Sequence, residues 1–321
     1  MQALSRWVAR MMCSLLIVSG VAQAQAQAPV PVPVPRLELV QVSEHAYYVQ
    51  GMSALGSPEN QNFISNAGVV VAPEGVIVID GLGSPSLAQR LLDEIRKITD
   101  KPVTYVIVTH YHADHVYGLQ TFKAKGARII AQENGKEYLN SDTAQLRLQA
   151  SRQELAPWID ETTVLVPADI WVSENQSMQL SGMQFDLIQV GPAHTPDDLA
   201  IYVPQEKVLF AGDLMFSGRI PYVGSADSAG WIRSLDKLVP LKPRWVVPGH
   251  GVYSADAEAD LRFTRDYLQF LRDSMREAAL ELEPFDEAYE KTDWSAYRGV
   301  PLFNAANRMN AYNVYLSIQS Q

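Results

Sequence analysis

The chain has 321 residues, of which 47% are hydrophobic, and a formal net charge of −10 that results from 36 acidic and 26 basic side chains. This acidity excludes a general affinity for nucleic acid, because the two most basic stretches, residues 123–128 and 262–276, are interleaved with acidic or apolar residues. We interpret both stretches as solvated helix faces and expect a small-molecule partner.

Residues 1–28 have the three parts of a secretory signal peptide. Two arginines precede an apolar stretch at residues 11–21, which is too short for a stable transmembrane helix, and alanines then alternate with glutamine. We expect cleavage after Ala24, Ala26 or Ala28, a periplasmic or secreted mature protein, and no stable membrane insertion after signal removal. The alternative is an uncleaved anchor. Cys13, the only cysteine, lies inside this segment, so metal ligands in the mature chain must be His or carboxylate.

The chain after the signal predicts one domain, residues 37–321, behind a proline-rich leader at residues 29–36. Segment 38–49 alternates loosely, and residues 66–71 and 75–80 predict two strands joined by a turn. Ser84 and Pro85 are typical of a helix N-cap and first helical residue. Residues 103–108 form a short β-branched run and predict a buried strand.

The second half of the chain predicts further strands and helices. Residues 132–160 are polar and indicate a helical insertion, and residues 178–190, 200–203, 207–210 and 244–247 read as strands. A helix is expected at residues 229–238, and another after His250, where apolar residues from Leu261 to Leu282 keep a three-and-four spacing. With no linker and no repeat, two β-rich halves with outer helices are the simplest arrangement.

Five of the six histidines fall into three small clusters that each follow a predicted strand. Asp213, in an Ala-Gly-Asp sequence, follows a fourth strand. Loops rich in Gly and Pro at strand ends can turn these side chains into one cleft, whereas His45 has no such neighbours and reads as a surface residue. The candidate metal ligands are His110, His112, Asp114, His115, His194, Asp213 and His250.

These residue types point to zinc chemistry. Zinc binds neutral imidazole and carboxylate, and a catalytic zinc has three protein ligands and an open position. Seven candidates exceed the needs of one ion, so the sequence predicts two Zn²⁺ per chain, although iron and manganese also accept these donors.

The pattern His110-x-His112-x-Asp114-His115, followed by His194, Asp213 and His250, resembles that of the metallo-β-lactamase superfamily. The resemblance implies a four-layer αββα sandwich, here with a C-terminal helical extension. It also implies that His110, His112 and His194 bind the first metal, that Asp114, His115 and His250 bind the second, and that Asp213 bridges both. Asp80 matches a structural residue that braces the metal-binding loop.

Residues 211–224, 247–251 and 310–316 resemble the SoxH-like branch, which includes the quinoprotein relay system zinc metallohydrolases. This implies export and a functional link to a periplasmic quinoprotein system. One β-lactamase subclass has Cys at the position of Asp213 and a drug-binding Lys three residues later; Phe216 stands there in this chain, which argues against penicillin-type recognition. The flavin domain of flavodiiron relatives is missing, and the acidic chain with its signal argues against nuclease branches.

The expected reaction is hydrolysis of an ester, lactone, thioester or lactam carbonyl by a hydroxide that bridges two zinc ions, with Asp114 as the catalytic group that orients it and relays its proton. Arg219 and Tyr222 are possible substrate contacts, with loop packing as the alternative. Trp158, Trp171 and Trp231 are expected in the core rather than in a pocket. The competing functions are a mononuclear iron persulfide dioxygenase and a non-catalytic partner of a quinoprotein dehydrogenase system.

Overall fold

The computed structural model describes residues 35–320. The predicted signal peptide and most of the proline-rich leader therefore lie outside the described residues. Within residues 35–320 the strands are β1 (Val40–Gln41), β2 (Ala46–Val49), β3 (Ala67–Ala72), β4 (Gly75–Ile79), β5 (Val103–Ile107), β6 (Arg128–Gln132), β7 (Ile170–Val172), β8 (Gln176–Leu180), β9 (Met183–Gln189), β10 (Leu199–Val203), β11 (Val208–Phe216) and β12 (Trp245–His250).

The helices of the same part of the chain are α1 (Pro85–Ile95), α2 (Ala113–Val116), α3 (Leu119–Ala124), α4 (Gly135–Leu139), α5 (Asp142–Glu154), α6 (Ser228–Leu238), α7 (Ala257–Leu280), α8 (Phe285–Lys291) and α9 (Phe303–Gln319). A short 3-10 helix, Val239–Leu241, follows α6. None of the helices between residues 35 and 320 combines the length and apolar character that a membrane crossing requires.

The strands form two mixed sheets. The first has the order β1-β2-β3-β4-β5-β6-β7, antiparallel as far as β4 and parallel beyond it. The second has the order β12-β11-β10-β9-β8, in which only β11 and β12 are parallel. The parallel pairs β4–β5 and β11–β12 bring strand ends from distant parts of the sequence to the same edge of each sheet.

Three apolar layers hold the sheets and helices together. The middle layer lies between the sheets and contains residues such as Ile77, Ile107, Ile201 and Phe210. One outer layer packs α1 and α3 on the first sheet, and the other packs α6, α7 and α9 on the second. The predicted αββα sandwich with a C-terminal helical extension is confirmed.

Several sequence-based element boundaries are correct. Ser84 caps α1, since its side chain accepts a hydrogen bond from Leu87 N, and Pro85 is the first helical residue. The strands expected near residues 66–80 and 103–108 are β3, β4 and β5. The helices expected at residues 229–238 and after His250 are α6 and α7, although α7 ends at Leu280 and leaves Leu282 75% exposed.

Other boundaries were wrong. The segment 178–190 was read as one strand, but it is the hairpin β8–β9, which turns at Ser181 and Gly182, both with positive φ. The helical reading of residues 123–128 holds only to Ala124, because Arg128 begins β6. Neither β6 nor β7 was predicted, since five and three residues carry little periodicity of their own. The predicted insertion contains α4 and α5 but begins after Gln132, which is still part of β6.

Candidate metal centre

The first histidines of the site follow β5 directly. His110 and His112 stand two residues apart on extended backbone, so both side chains project to the same side. His110 Nε2 lies 3.1 Å from His112 Nδ1. His194, from the loop after β9, adds its Nε2 at 3.0 Å from the same His112 atom. Three ring nitrogens therefore converge on one point.

The second ligand group is built from α2 and β12. Asp114 and His115 lie in the short helix α2, and His250 is the last residue of β12. Asp114 Oδ2 lies 3.5 Å from His115 Nε2 and 3.3 Å from His250 Nε2. These three donors come within 4.8 Å of one another, as do those of the first group with Asp213.

Asp213 lies between the two groups. It was expected after a strand, but it sits inside the nine-residue strand β11, where Gly212 has a φ of +54° and the register to β12 shifts. Its Oδ1 lies 3.1 Å from His115 Nε2, and its Oδ2 lies 3.2 Å from His250 Nε2 and 3.4 Å from His194 Nε2. A side chain at Gly249 would collide with this carboxylate. The backbone thus makes room for one carboxylate that reaches both groups.

The arrangement fits metal ions. Zinc bound to nitrogen at about 2.0–2.1 Å in a tetrahedron separates its ligand atoms by roughly 3.3 Å, close to the spacings found here. Within the part of the chain that the structure describes, the buried atoms His115 Nε2 and Asp213 Oδ1 have no hydrogen-bond partner, although they lie 3.1 Å apart. Buried polar atoms without partners are rare, and a shared cation accounts for both.

The outer nitrogens of three ligand histidines are held by the surrounding chain. Thr109 Oγ1 donates to Asp80 Oδ2 at 2.9 Å and so accepts from His110 Nδ1 at 3.0 Å. His115 Nδ1 donates to the same Asp80 oxygen at 2.9 Å, and His250 Nδ1 donates to Ile64 O at 2.7 Å. Protonation of each Nδ1 leaves the Nε2 lone pair directed into the site, which is how partners of metal-binding histidines fix the tautomer.

Asp80 is the carboxylate that supports this loop. Its backbone has a φ of +66°, and its Oδ1 accepts from Thr109 N at 2.8 Å while Oδ2 accepts from Thr109 Oγ1 and His115. The residue is 3% exposed. A buried carboxylate with these hydrogen bonds fixes both ends of the segment from Thr109 to His115.

The two groups have opposite protonation tendencies. Burial lowers the pKa of His110 and His112, and it lowers the pKa of His194 to about 3. Burial acts in the same direction on His115 and His250, but the carboxylates around them, Asp213 first, outweigh it and raise the pKa of both.

Both site carboxylates remain ionised. Burial alone would raise the pKa of Asp114 and of Asp213, but the neighbouring His115 and His250 hold both values below the ordinary range. Two carboxylates and two basic imidazoles therefore share one buried pocket.

The two predicted substrate contacts lie beside the metal centre. Arg219 is 4% exposed, with its guanidinium 5.7 Å from the Phe216 ring centroid and Nη1 3.4 Å from His250 Nδ1. His250 Nδ1 carries the proton that it donates to Ile64 O, so two hydrogen-bond donors face each other in the contact with Arg219. Tyr222 is 40% exposed, and its ring lies 6.5 Å from that of His194.

The Arg219 guanidinium has donors to spare. Nε donates to Ile220 O at a long 3.4 Å, and among residues 35–320 no carboxylate comes within ion-pair distance. Burial lowers the pKa of Arg219, while Asp213 and Asp114 act in the opposite direction. A buried cation with unused N–H groups next to a reaction centre is suited to an anionic group of a ligand.

The tryptophans do not form one pocket. Trp231 is fully buried, donates from Nε1 to Leu214 O, and packs its ring 5.0 Å from that of His194. Trp171 stacks on Tyr111 at 6.2 Å, and Trp158 donates to the carbonyl of Pro58. His45, which was expected at the surface, lies outside the site. It pairs with Glu206 at a distance of 2.8 Å.

Sequence reasoning missed three residues that hold the ligand loops. Asn66 Nδ2 donates to Pro248 O and Gly251 O, on either side of His250. Asp197 Oδ2 accepts from Tyr111 N at 3.0 Å, and Asp198 accepts from the backbone and hydroxyl of Thr195. The two consecutive aspartates close to His194 were a visible signal, whereas nothing in the sequence pointed to Asn66.

Known proteins resemble the chain in sequence. The family model described as Metallo-beta-lactamase superfamily matches residues 61–250. The linear primary-alkylsulfatase of Pseudomonas sp. (strain ATCC 19151) is 28% identical over 263 residues, which cover 70% of this chain and 49% of that protein. The Metallo-beta-lactamase type 2 of Bacillus cereus is 26% identical over 192 residues, 58% of this chain and 67% of that one. The chain thus spans about half the length of the alkylsulfatase.

Solved structures share the fold. A stereoselective inverting sec-alkylsulfatase from Pseudomonas sp. superposes with a TM-score of 0.66 at 19% identity and covers 88% of this chain and 50% of its own. A metallo-beta-lactamase from Pontibacter korlensis gives a TM-score of 0.57 at 21% identity, over 73% of this chain and 99% of its own. With the fold, two groups of His and Asp candidate ligands at one edge and a family match over more than half its length, the chain belongs to the metallo-β-lactamase superfamily.

Proposed function

We propose that this chain is a periplasmic or secreted hydrolase that holds two zinc ions and cleaves an ester, lactone, thioester or lactam. The position of Asp213 is the observation that supports two metal ions rather than one. Its two oxygens lie 3.1–3.4 Å from ring nitrogens of both ligand groups, which supports a carboxylate shared by two ions. We assign His110, His112 and His194 to the first ion and Asp114, His115 and His250 to the second.

When bound, the two zinc ions supply Lewis-acid activation of a carbonyl and a coordinated water that ionises near neutral pH. The chain itself positions the reactants. The side chain of Asp114 is 17% exposed, more than that of Asp213 or the histidines of its group, so it is the ionised group placed to orient the attacking water and accept its proton. Arg219, at the border of the second group, offers its free N–H groups to an anionic part of the substrate.

Two independent ligand groups favour hydrolysis over the competing functions. A mononuclear iron dioxygenase needs one group of two His and a carboxylate, whereas this chain places a second group beside the first. A purely structural zinc site is closed by four ligands that serve one ion, whereas here the fourth ligand of each group is the same carboxylate, Asp213.

The test is a metal assay combined with a hydrolysis screen. Elemental analysis of the full-length exported protein should give two zinc ions per chain, and a screen of lactones, thioesters, esters and β-lactams should find turnover that a chelator removes. His112→Ala should lose the turnover. Persulfide-dependent oxygen consumption by an iron-loaded protein would contradict the proposal.

A sulfate ester is the second candidate substrate. The similarity to a linear primary-alkylsulfatase extends over 70% of this chain, and Arg219 offers a buried cation for a sulfate group. Metal-dependent release of sulfate from decyl sulfate, without turnover of the carbonyl substrates, would favour this candidate over the first.

We also propose export and a role beside a periplasmic quinoprotein system. The support is the three-part segment at residues 1–28 and the resemblance of residues 211–224, 247–251 and 310–316 to the SoxH-like branch. Cell fractionation with N-terminal sequencing of the mature chain tests the first part. A start at residue 25, 27 or 29 in the periplasm or medium is expected, and an intact N-terminus in the cytoplasm would contradict it.

A further inference from the structure

The loop that carries Arg219 and Tyr222 is held in place from outside. It joins β11 to α6, and Ser217 N donates to His250 O at 3.0 Å, while Ile220 N donates to Pro301 O at 2.9 Å. The second of these acceptors lies just before α9, far beyond the last ligand in the sequence. The C-terminal extension therefore contacts the wall of the metal centre.

A further contact comes from Asn310 in α9, which is fully buried. Its Oδ1 accepts from Val223 N at 3.0 Å, and its Nδ2 donates to Pro221 O at 2.7 Å. One carboxamide thus bonds the backbone on both sides of Tyr222, in the way a neighbouring strand would, in a segment that belongs to neither sheet.

A buried network orients this carboxamide. Asn310 Nδ2 also donates to the hydroxyl of Tyr267 in α7 at 2.9 Å, and that hydroxyl donates to Asn307 Oδ1 at 3.0 Å. Asn307 Nδ2 in turn donates to the hydroxyl of Tyr289 in α8 at 3.1 Å. The amide of Asn310 has an acceptor for each N–H and a donor for its oxygen, so a reversed amide would place oxygen against the carbonyl of Pro221.

We propose that Asn310 is a positioning residue through which helices α7, α8 and α9 hold Arg219 and Tyr222 against the metal centre, so that the C-terminal extension determines how tightly an anionic substrate is bound. Asn310 touches no candidate metal ligand and takes no part in bond cleavage. Its effect passes through the backbone of residues 221–223 to the two side chains. The inference deepens the proposed function and rests on it for the role of Arg219.

Asn307 provides a matched control. It lies on the same helix, is equally buried and shares the Tyr267 hydroxyl, but no hydrogen bond joins it to the loop. Asn307→Ala and Asn310→Ala remove the same atoms from one network. Only the second removes the bonds to Pro221 and Val223. Asn310→Asp keeps the acceptor for Val223 N but places an oxygen against Pro221 O, so it disrupts the same contact while preserving the volume.

Hydrogen exchange measured by mass spectrometry tests the proposal without turnover. The amides of peptides that cover residues 217–226 should exchange about tenfold faster in Asn310→Ala and in Asn310→Asp, and at the wild-type rate in Asn307→Ala. Metal content should be the same in all of them. If Asn307→Ala opens the loop equally, or if neither Asn310 variant opens it, the proposal is wrong. Should Asn310→Ala not fold, Asn310→Asp decides alone.

Kinetics then separate positioning from general destabilisation. With the anionic ester 4-nitrophenyl hemisuccinate, KM should rise about tenfold in Asn310→Asp while kcat changes little, and with neutral 4-nitrophenyl butyrate both constants should stay near the wild-type values. Equal losses on both substrates would contradict a role through Arg219. A wild-type protein that turns over neither compound would contradict the proposed function instead, and the exchange experiment would still decide the role of Asn310.

Discussion

The two ligand groups of the metal centre differ in the charges that surround them. In the first group, burial lowers the pKa of His110, His112 and His194, so these imidazoles are neutral before any metal binds. In the second group, burial is outweighed by carboxylates that raise the pKa of His115 and His250. The first group is a set of neutral nitrogen donors, whereas the second is a charged network.

The two groups also differ in the hydrogen bonds that hold the outer nitrogens of their histidines. His115 in the second group donates to the buried carboxylate of Asp80, whereas His194 Nδ1 in the first group has no hydrogen-bond partner within residues 35–320. A metal-binding histidine whose outer N–H meets a carboxylate is a stronger ligand. The comparison indicates that hydrogen bonds hold only part of the first group, where His110 bonds Thr109, whereas both histidines of the second group donate to fixed oxygen atoms.

The largest effect is expected from removing one ligand of each group. His112→Ala and His115→Ala should each lower hydrolysis more than about 100-fold, since loss of a direct ligand exceeds the loss of an outer-shell partner. Elemental analysis after gel filtration should show that each variant retains only one zinc ion per chain. Full occupancy by two ions in His112→Ala would contradict the assignment of that residue.

The Asp80→Asn variant tests the difference in support. The single amide oxygen of Asn cannot accept all three hydrogen bonds that Asp80 Oδ1 and Oδ2 accept from Thr109 and His115. The affinity of the second group for its metal ion should therefore fall about 10- to 100-fold. Competition with a chelator should release the second ion earlier and weaken the first less, because Asp80 reaches the first group only through Thr109 and His110. Equal weakening of both ions would remove the contrast between the groups.

The Arg219→Ala variant tests the boundary of the second group. Because the guanidinium contacts the outer side of His250 and has unused donors, KM for an anionic substrate should rise about tenfold while the metal content stays unchanged. Arg219→Lys serves as the control, since it keeps the charge but loses the planar fork. An unchanged KM in Arg219→Ala would place the anion elsewhere.

The smallest effect on hydrolysis is expected from Asp197, which bonds Tyr111 between His110 and His112 and should act on stability instead. Burial raises the pKa of Asp197 to about 6, although the hydrogen bond from Tyr111 N acts in the opposite direction. The folded state thus disfavours the charged form: the cost is absent near pH 4, grows as the pH rises towards 6, and is complete above it. Asp197→Asn in metal-free protein should be more stable than the wild type at pH 8 by roughly 1–3 kcal/mol.

The pH dependence provides the check on that prediction. Thermal unfolding of both proteins between pH 4 and 8 should show a Tm difference that favours the variant at pH 8 and shrinks towards pH 4. A difference that is constant over this range would show that Asp197 is not protonated on folding, and that only the shape of the side chain matters.

The sequence by itself predicted the layers of the fold and grouped all seven candidate ligands. The apolar composition of residues 75–80 and 103–108 is typical of buried strands, and the ligands lie beside Gly and Pro at strand ends. Short elements were less readable: β6 and β7 depend on pairing with β5 and with each other rather than on any local pattern. The sequence predicts the hairpin β8–β9 as a single strand because only two residues form its turn.

Tertiary structure alone decided which residues support the ligands. Asn66 bonds to carbonyls 182 and 185 residues away, and Asn310 bonds to a loop 87 to 89 residues away, so no local spacing could reveal either role. The same holds for the protonation of the histidines, because the pKa of each depends on burial and on charges brought near by folding. Residue type and order were sufficient to identify the donors, whereas distances, charges and the support of the loops arise only when distant strand ends and the C-terminal helices pack together.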